Sequence, residues 1–228
     1  MNRFSPALLR VHHVKSNYFL QRRKHMSTKK EISAQELEKE ISAFLMDRAT
    51  HSGGKHNKPG CNLKHGYACV LATCHDNIPR ATPVDFFCDG SMTIWINAEP
   101  GGKIANIMRN PQVSVGIYER VDHSVEQKSM QLWGAAEIIN LKNSPEVFNQ
   151  KLEAFGLHEA MAGMIEKMIQ RGALPEGAQN QTLEQIRKQL NIIKIKPEKI
   201  LLLHMRPDGP PVKKIWENGK ASMMVGGI

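Results

Sequence analysis

Between residues 66 and 97, three strand-length apolar runs follow one another with only short polar turns between them. Residues 66–74 form the first run, His75-Asp76-Asn77 a turn, and residues 79–88 the second run, so 66–88 reads as a β-hairpin. Asp89-Gly90 is another tight turn, and residues 91–97 are a third strand carrying the β-rich Thr93-Ile94-Trp95-Ile96. Connections this short join antiparallel neighbours, because a parallel crossover needs about a dozen residues or more. The pattern predicts a three-stranded meander. Further strands are expected at 113–118 and at 129–139, with Gly134 as a bend or bulge, and strand texture returns at 192–204. Mostly antiparallel strands with short turns build a closed or partly closed barrel.

Helices are expected around this β framework. Residues 33–48 are amphipathic, with Ser33 and Glu36 as a capping box and Leu37, Ile41, Phe44 and Leu45 at helical spacing. Residues 50–65 read as a basic loop broken by Gly53-Gly54 and Pro59-Gly60, and 120–127 as a charged loop. Pro100-Gly101-Gly102 leads into a short helix, 103–109, with Ile104, Ile107 and Met108 on one face, and Asn110-Pro111 ends it. Residues 144–191 read as a helical insert, capped by Ser144 ahead of Pro145 and interrupted at Gly156 and at 172–177. Its stripe of Met161, Met164, Ile165, Met168 and Ile169 suits packing against the barrel or a partner subunit. The tail from Asp208 is Pro/Gly-rich. The expected organisation is a basic, disordered segment, 1–30, followed by one domain, 31–228.

The net charge of +9 suggests nucleic acid until it is located. Residues 1–30 hold 8 of the 31 basic residues and no acid, which leaves 23 basic against 22 acidic residues beyond them. A nearly neutral body lacks the basic footprint of a nucleic-acid-binding domain. The segment itself reads in three ways: a disordered tail, an extension upstream of a start at Met26, or an organellar transit peptide. Its stretch Ala7-Leu8-Leu9, broken by Arg10, is too short for a secretory signal. No apolar run approaches the roughly 20 residues of a membrane-spanning helix. The four cysteines, Cys61, Cys69, Cys74 and Cys88, form no CxxC pair and read as reduced thiols rather than a zinc site. A cytoplasmic protein is expected, or one of an organelle matrix if the leading segment is a transit peptide. His51, His56, His65 and His75 read as solvated loop residues, with a heme or metal ligand as the alternative.

Three segments carry the chemistry. They are Pro79-Arg80-Ala81-Thr82-Pro83-Val84-Asp85; Ile94 to Asn97 running into Ala98-Glu99-Pro100-Gly101-Gly102-Lys103; and Asn110-Pro111-Gln112-Val113-Ser114-Val115. A phosphate needs donors and positive charge. Gly101 and Gly102 let backbone amides converge on an anion, and the helix that starts there adds the positive end of its dipole. Lys103 brings a full charge, and Arg80 on the neighbouring strand brings a planar fork suited to phosphate oxygens. Thr82 shares Arg80's face, and Pro83, lacking an amide hydrogen, suits an edge strand.

With Val70-Leu71-Ala72-Thr73, Leu132-Trp133-Gly134-Ala135-Ala136-Glu137 and Lys196-Pro197-Glu198-Lys199-Ile200, these segments resemble the pyridoxamine 5′-phosphate oxidase-like, FMN-binding split-barrel family over about 65–140 and 193–205. The resemblance implies a mainly β fold: a Greek-key-like antiparallel split barrel, here with a helical insert. It implies a homodimer with two FMN sites between subunits. Arg80, Ala81, Thr82, Pro83, Val84 and Asp85 would line the flavin, with Arg80 at the phosphate. Ile96 and Asn97 would meet the cofactor from the third strand. Gly102 and Lys103 stand where many members carry Arg-Lys, and Ser129 where the oxidase uses a glutamine at the ring. The departures are Gly102 itself, Leu203 in place of a flavin-contacting tryptophan, and Pro210-Pro211-Val212-Lys213-Lys214 in place of the substrate-binding Arg-x-His-Asp-Arg-type motif. They argue against the vitamin B6 oxidase itself. The expectation is an FMN-dependent oxidoreductase of an unidentified small molecule, with a nicotinamide nucleotide as possible donor. A non-catalytic flavin- or heme-binding sensor is the alternative. No catalytic acid or base, metal site, nucleic acid or membrane is assigned.

Overall fold

The computed structural model describes residues 29–49, 68–118 and 126–226. The expectations for the leading segment up to residue 28, the loop 50–65, the first two residues of the strand expected from 66, and most of the loop 120–127 lie outside these residues. So do Cys61, His51, His56 and His65.

The hairpin is formed by β2 (Ala68–His75) and β3 (Ile78–Asp85), following the two-residue β1 (Lys30–Glu31) and helix α1 (Ala34–Arg48). Its turn works because Asp76 and Asn77 both take positive φ, 51° and 58°. Two such residues make the turn that matches strand twist, and Asn and Asp tolerate it better than most side chains. Ser33 caps α1 as expected: its Oγ accepts from the Glu36 amide at 3.3 Å.

The expected meander is corrected at its third strand. The second strand ends at Asp85, and β4 (Phe87–Cys88) turns away to pair with β5 (Ile94–Ala98). The reason is the burial of Phe86, Phe87 and Cys88 in succession, which takes the chain off the exposed edge and into the core. On its other side β5 pairs with β8 (Asn191–Arg206), not with β3. Helix α2 (Gly102–Arg109) and strands β6 (Gln112–Tyr118) and β7 (Gln127–Ile139) complete the central part.

β8 is one strand of 16 residues. It pairs along its whole length with β7. Its other edge is shared: Asn191 to Ile195 pair with β5, and Lys199 onward pairs with β9 (Gly209–Glu217). Between the halves the register against β7 shifts at Trp133/Gly134. A bulge accommodates Pro197, which cannot donate to a ladder. Gly134 is required there, since a Cβ on it would lie 2.0 Å from the Lys196 carbonyl oxygen. The Pro/Gly-rich tail is also corrected. It forms β9 and β10 (Lys220–Val225), turning at Asn218-Gly219 with φ of 47° and 80°. The prolines at 210 and 211 sit at the strand's start, where a missing donor costs least.

Among the described residues the result is a ten-stranded, mostly antiparallel sheet running β1-β10-β9-β8-β7-β6-β2-β3, with β5 and β4 branching from β8. Because β5 also lies against β3, the strands from β3 round to β5 enclose a barrel. This is the split-barrel class. β3 and β5 touch without forming a ladder, so the barrel has a seam. Leu71, Ile94, Ile96, Val115, Leu132 and Ile193 fill the interior, with α1 packed alongside through Leu37, Ile41 and Leu45.

The insert is three helices: α3 (Pro145–Ala154), α4 (Leu157–Gln170) and α5 (Gln179–Gln189). Ser144 occupies the N-cap position of α3, but its side chain makes no cap bond, so that part of the expectation fails. Phe148, Leu152, Phe155 and Met161 cover Phe87, Trp95 and Ile192 on the barrel's outside. Of the apolar stripe on α4, Met161 and Ile165 are buried and Met164 is exposed.

Candidate functional site

The seam collects most of the expected site residues. β3 brings Arg80 to Asp85, β5 brings Ile96 and Asn97, and α2 starts at Gly102-Lys103 just beyond the end of β5. Strand alternation divides the β3 residues between two faces. Arg80, Thr82 and Val84 share a face with their partners Thr73, Leu71 and Cys69, all three buried. Ala81, Pro83 and Asp85 point the other way and are exposed. Arg80, Thr82 and Val84 thus offer the seam their side chains, while Ala81, Pro83 and Asp85 turn theirs away from it. β3 is an edge strand among the described residues, as Pro83 suggested.

Arg80 and Gly102 are in direct contact. A Cβ built on Gly102 would lie 2.7 Å from the Arg80 Cζ and 2.8 Å from one terminal guanidinium nitrogen. The guanidinium thus covers the first turn of α2, where amides without helical partners and the positive dipole end also face outward. Lys103 is half-buried at the next position. Two asparagines fix α2 against the sheet. Asn106 Nδ2 donates to Thr73 Oγ1 at 3.1 Å, and Asn110 Nδ2 donates to the Cys74 carbonyl at 3.1 Å. Asn106 was not singled out from the sequence, and Asn110 was read as the helix stop and as part of a chemistry-bearing segment, not as a tie to the sheet. Their spacing of four, which puts both on one helical face, was the available signal.

Ile96 points into the barrel and is fully buried. Asn97 alternates with it, and its Oδ1 is buried without a hydrogen-bond partner among the described residues. A buried acceptor left in this way costs free energy unless something donates to it. Ser129 does not join the others. It pairs with Tyr118 and Leu203, on the side of the sheet opposite the barrel interior, three strands away from Asp85's edge.

Other polar and titratable side chains take structural positions. His75 pairs with Asp76 at 3.2 Å, and His204 Nε2 pairs with Glu126. Cys69, Cys74 and Cys88 are free thiols. Burial pushes the Cys69 thiol up to about 12, so it is neutral and inert as a nucleophile. Asp89 was read only as a turn residue. Its carboxylate accepts from Lys151 Nζ at 2.8 Å, Trp95 Nε1 at 3.0 Å and Ser91 Oγ at 2.6 Å, clamping α3 to the β4–β5 turn. Burial alone would raise its pKa, but the bonds from Lys151 and Ser91 and the lysine's charge outweigh it and hold it at about 2. No described helix is long and apolar enough to cross a membrane.

Among solved structures, the chain is similar to a pyridoxamine 5′-phosphate oxidase-related, FMN-binding protein from Nostoc punctiforme, at 16% identity, covering 72% of this chain and 90% of that one, with a TM-score of 0.48. It is also similar to general stress protein 26 from Bacillus anthracis (16% identity, 74% and 97% covered, TM-score 0.42). A third is an FAD-binding protein from Mesorhizobium loti (18% identity, 78% and 98% covered, TM-score 0.43). No curated protein matches the chain. The family model described as pyridoxamine 5′-phosphate oxidase matches residues 62–204, from just before β2 to nearly the end of β8. With more than half the chain inside that match, this protein belongs to the pyridoxamine 5′-phosphate oxidase family, as a member other than the vitamin B6 oxidase itself.

Proposed function

We propose that the protein binds FMN along the seam between β3 and β5, with its phosphate at Arg80, Lys103 and the first turn of α2, and acts as an oxidoreductase on a small molecule. The observation that carries this reading is the Arg80 guanidinium resting on Gly102. It puts a planar fork at the first turn of a helix whose second residue is Lys103, and a fork, a lysine and helix amides make a donor set for a phosphate. Family membership supports a flavin over other phosphorylated ligands. Bound there, the flavin supplies hydride or electron transfer, while the chain binds, orients and shields it.

The reading includes a homodimer and treats residues 31–228 as one unit. Trp95 of the barrel and Phe155 of the insert share one apolar cluster, which supports the single unit. The outer sheet face supports the dimer. Tyr118, Trp133 and Met205 are exposed there, beside half-buried Leu201 and Leu203. Such a row exceeds scattered single exposures and suits a second copy. Ser129 lies on this face, so in the dimer it would reach the partner's flavin and not its own.

Titration of the purified protein into FMN, followed by flavin fluorescence, tests binding. Anaerobic addition of a nicotinamide nucleotide to the loaded protein then tests the oxidoreductase reading. Bleaching of the flavin is expected. A bound flavin that no donor reduces would favour a binding or sensing role.

A further inference from the structure

Gly101 and Gly102 stand side by side, but only at Gly102 would a side chain meet another residue. Gly102 does not have a positive φ, so its backbone accepts any residue. It lies inside α2, where alanine is the better helix former. Neither turn nor helix demands glycine at 102. What excludes a side chain is the Arg80 guanidinium, whose Cζ, terminal nitrogen and Nε all fall within 2.7–3.0 Å of where a Cβ would be. At Gly101 a Cβ would meet nothing within 4 Å. No hydrogen bond or ion pair to another described residue holds that guanidinium.

We infer that the missing side chain at Gly102 is what seats Arg80 over the first turn of α2, making Gly102 the position that sets the site's preference for a phosphomonoester over an uncharged flavin. This rests on the flavin reading above and deepens it. A methyl group at 102 leaves the backbone in place, because the atoms in its way are the far end of a flexible side chain. The guanidinium moves instead and loses its alignment with the helix amides. The glycine therefore acts on the ligand only through Arg80, as a positioning residue. The two positions are coupled in a way that a general effect on the helix would not reproduce.

The experiment measures FMN and riboflavin affinity by fluorescence for the wild-type chain, Gly102→Ala, Arg80→Ala and the double variant, with circular dichroism and thermal melting of each. Gly102→Ala is expected to fold normally and to weaken FMN about tenfold, the loss of one charge-assisted contact, with riboflavin affinity unchanged. In the Arg80→Ala background the same substitution is expected to change FMN affinity no further. Wild-type FMN affinity in Gly102→Ala would overturn the inference alone, as would an equal tenfold loss when Arg80 is absent. Failure of the wild-type chain to take up FMN would overturn the flavin reading together with this inference.

Discussion

Arg80 is a long charged side chain on an exposed edge strand, and such a side chain loses considerable rotamer freedom when held in one place. Here the guanidinium rests on a glycine at the head of a helix, and no hydrogen bond among the described residues takes up its donors. Removing the charges of both Arg80 and Lys103 by alanine substitution is expected to weaken FMN binding about a hundredfold or more, on the scale of two charge-assisted hydrogen bonds. Riboflavin binding should be unaffected, and fluorescence titration of both ligands checks this. Gly134 shows a different use of a missing side chain. Its Cβ would fall 2.0 Å from a backbone oxygen that has no freedom to move. Gly134→Ala is expected to cost about 1–3 kcal/mol of stability, read by urea denaturation.

At the scale of elements, the clamp of Asp89 on Lys151 and Trp95 joins the insert to the barrel. An unfolded aspartate titrates near about 3.9, and the folded value is about 2. The clamp's contribution is thus fully present above about pH 4 and is lost as the pH falls toward 2. Asp89→Asn is expected to lower stability at neutral pH by roughly 1–2 kcal/mol and to flatten the acid limb of the stability curve, measured by denaturation across pH 2–5. The elements with strong local signals were legible in sequence. The Ser33 cap, the Asp76-Asn77 turn, the helix stopped before Pro111 and the Gly134 bulge all declared themselves through residues with few other uses. What stayed hidden was non-local. Nothing in Ile94 to Ala98 says that its partner lies about a hundred residues on, in β8. The tail's prolines masked a hairpin that pairing with β8 and Asn218-Gly219 made possible. The candidate site residues were legible only through the ordered set of family-like segments, since a Gly-Gly-Lys turn or an edge-strand arginine is common by itself. The Asn106 and Asn110 ties were not, since asparagine on a helix surface has many ordinary roles.

At the scale of the molecule, β8 pairs with β7 along one edge and with β5 and β9 along the other, and the barrel keeps a seam between β3 and β5 and an open outer face. The seam holds the candidate site and the face holds Tyr118, Trp133 and Met205. A dimer is expected in sedimentation equilibrium. Tyr118→Glu with Trp133→Glu should produce a folded monomer with weakened FMN binding, because charges on an apolar contact face are costly to bury. A wild-type monomer that binds FMN tightly would contradict the shared-site reading. The most direct test of the flavin assignment is the visible spectrum of the purified chain after incubation with FMN and removal of free ligand. The flavin's absorption bands are expected to stay with the wild-type protein and to be lost from the Arg80→Ala, Lys103→Ala variant. A colourless wild-type protein, or a variant that keeps its flavin as well, would contradict the assignment.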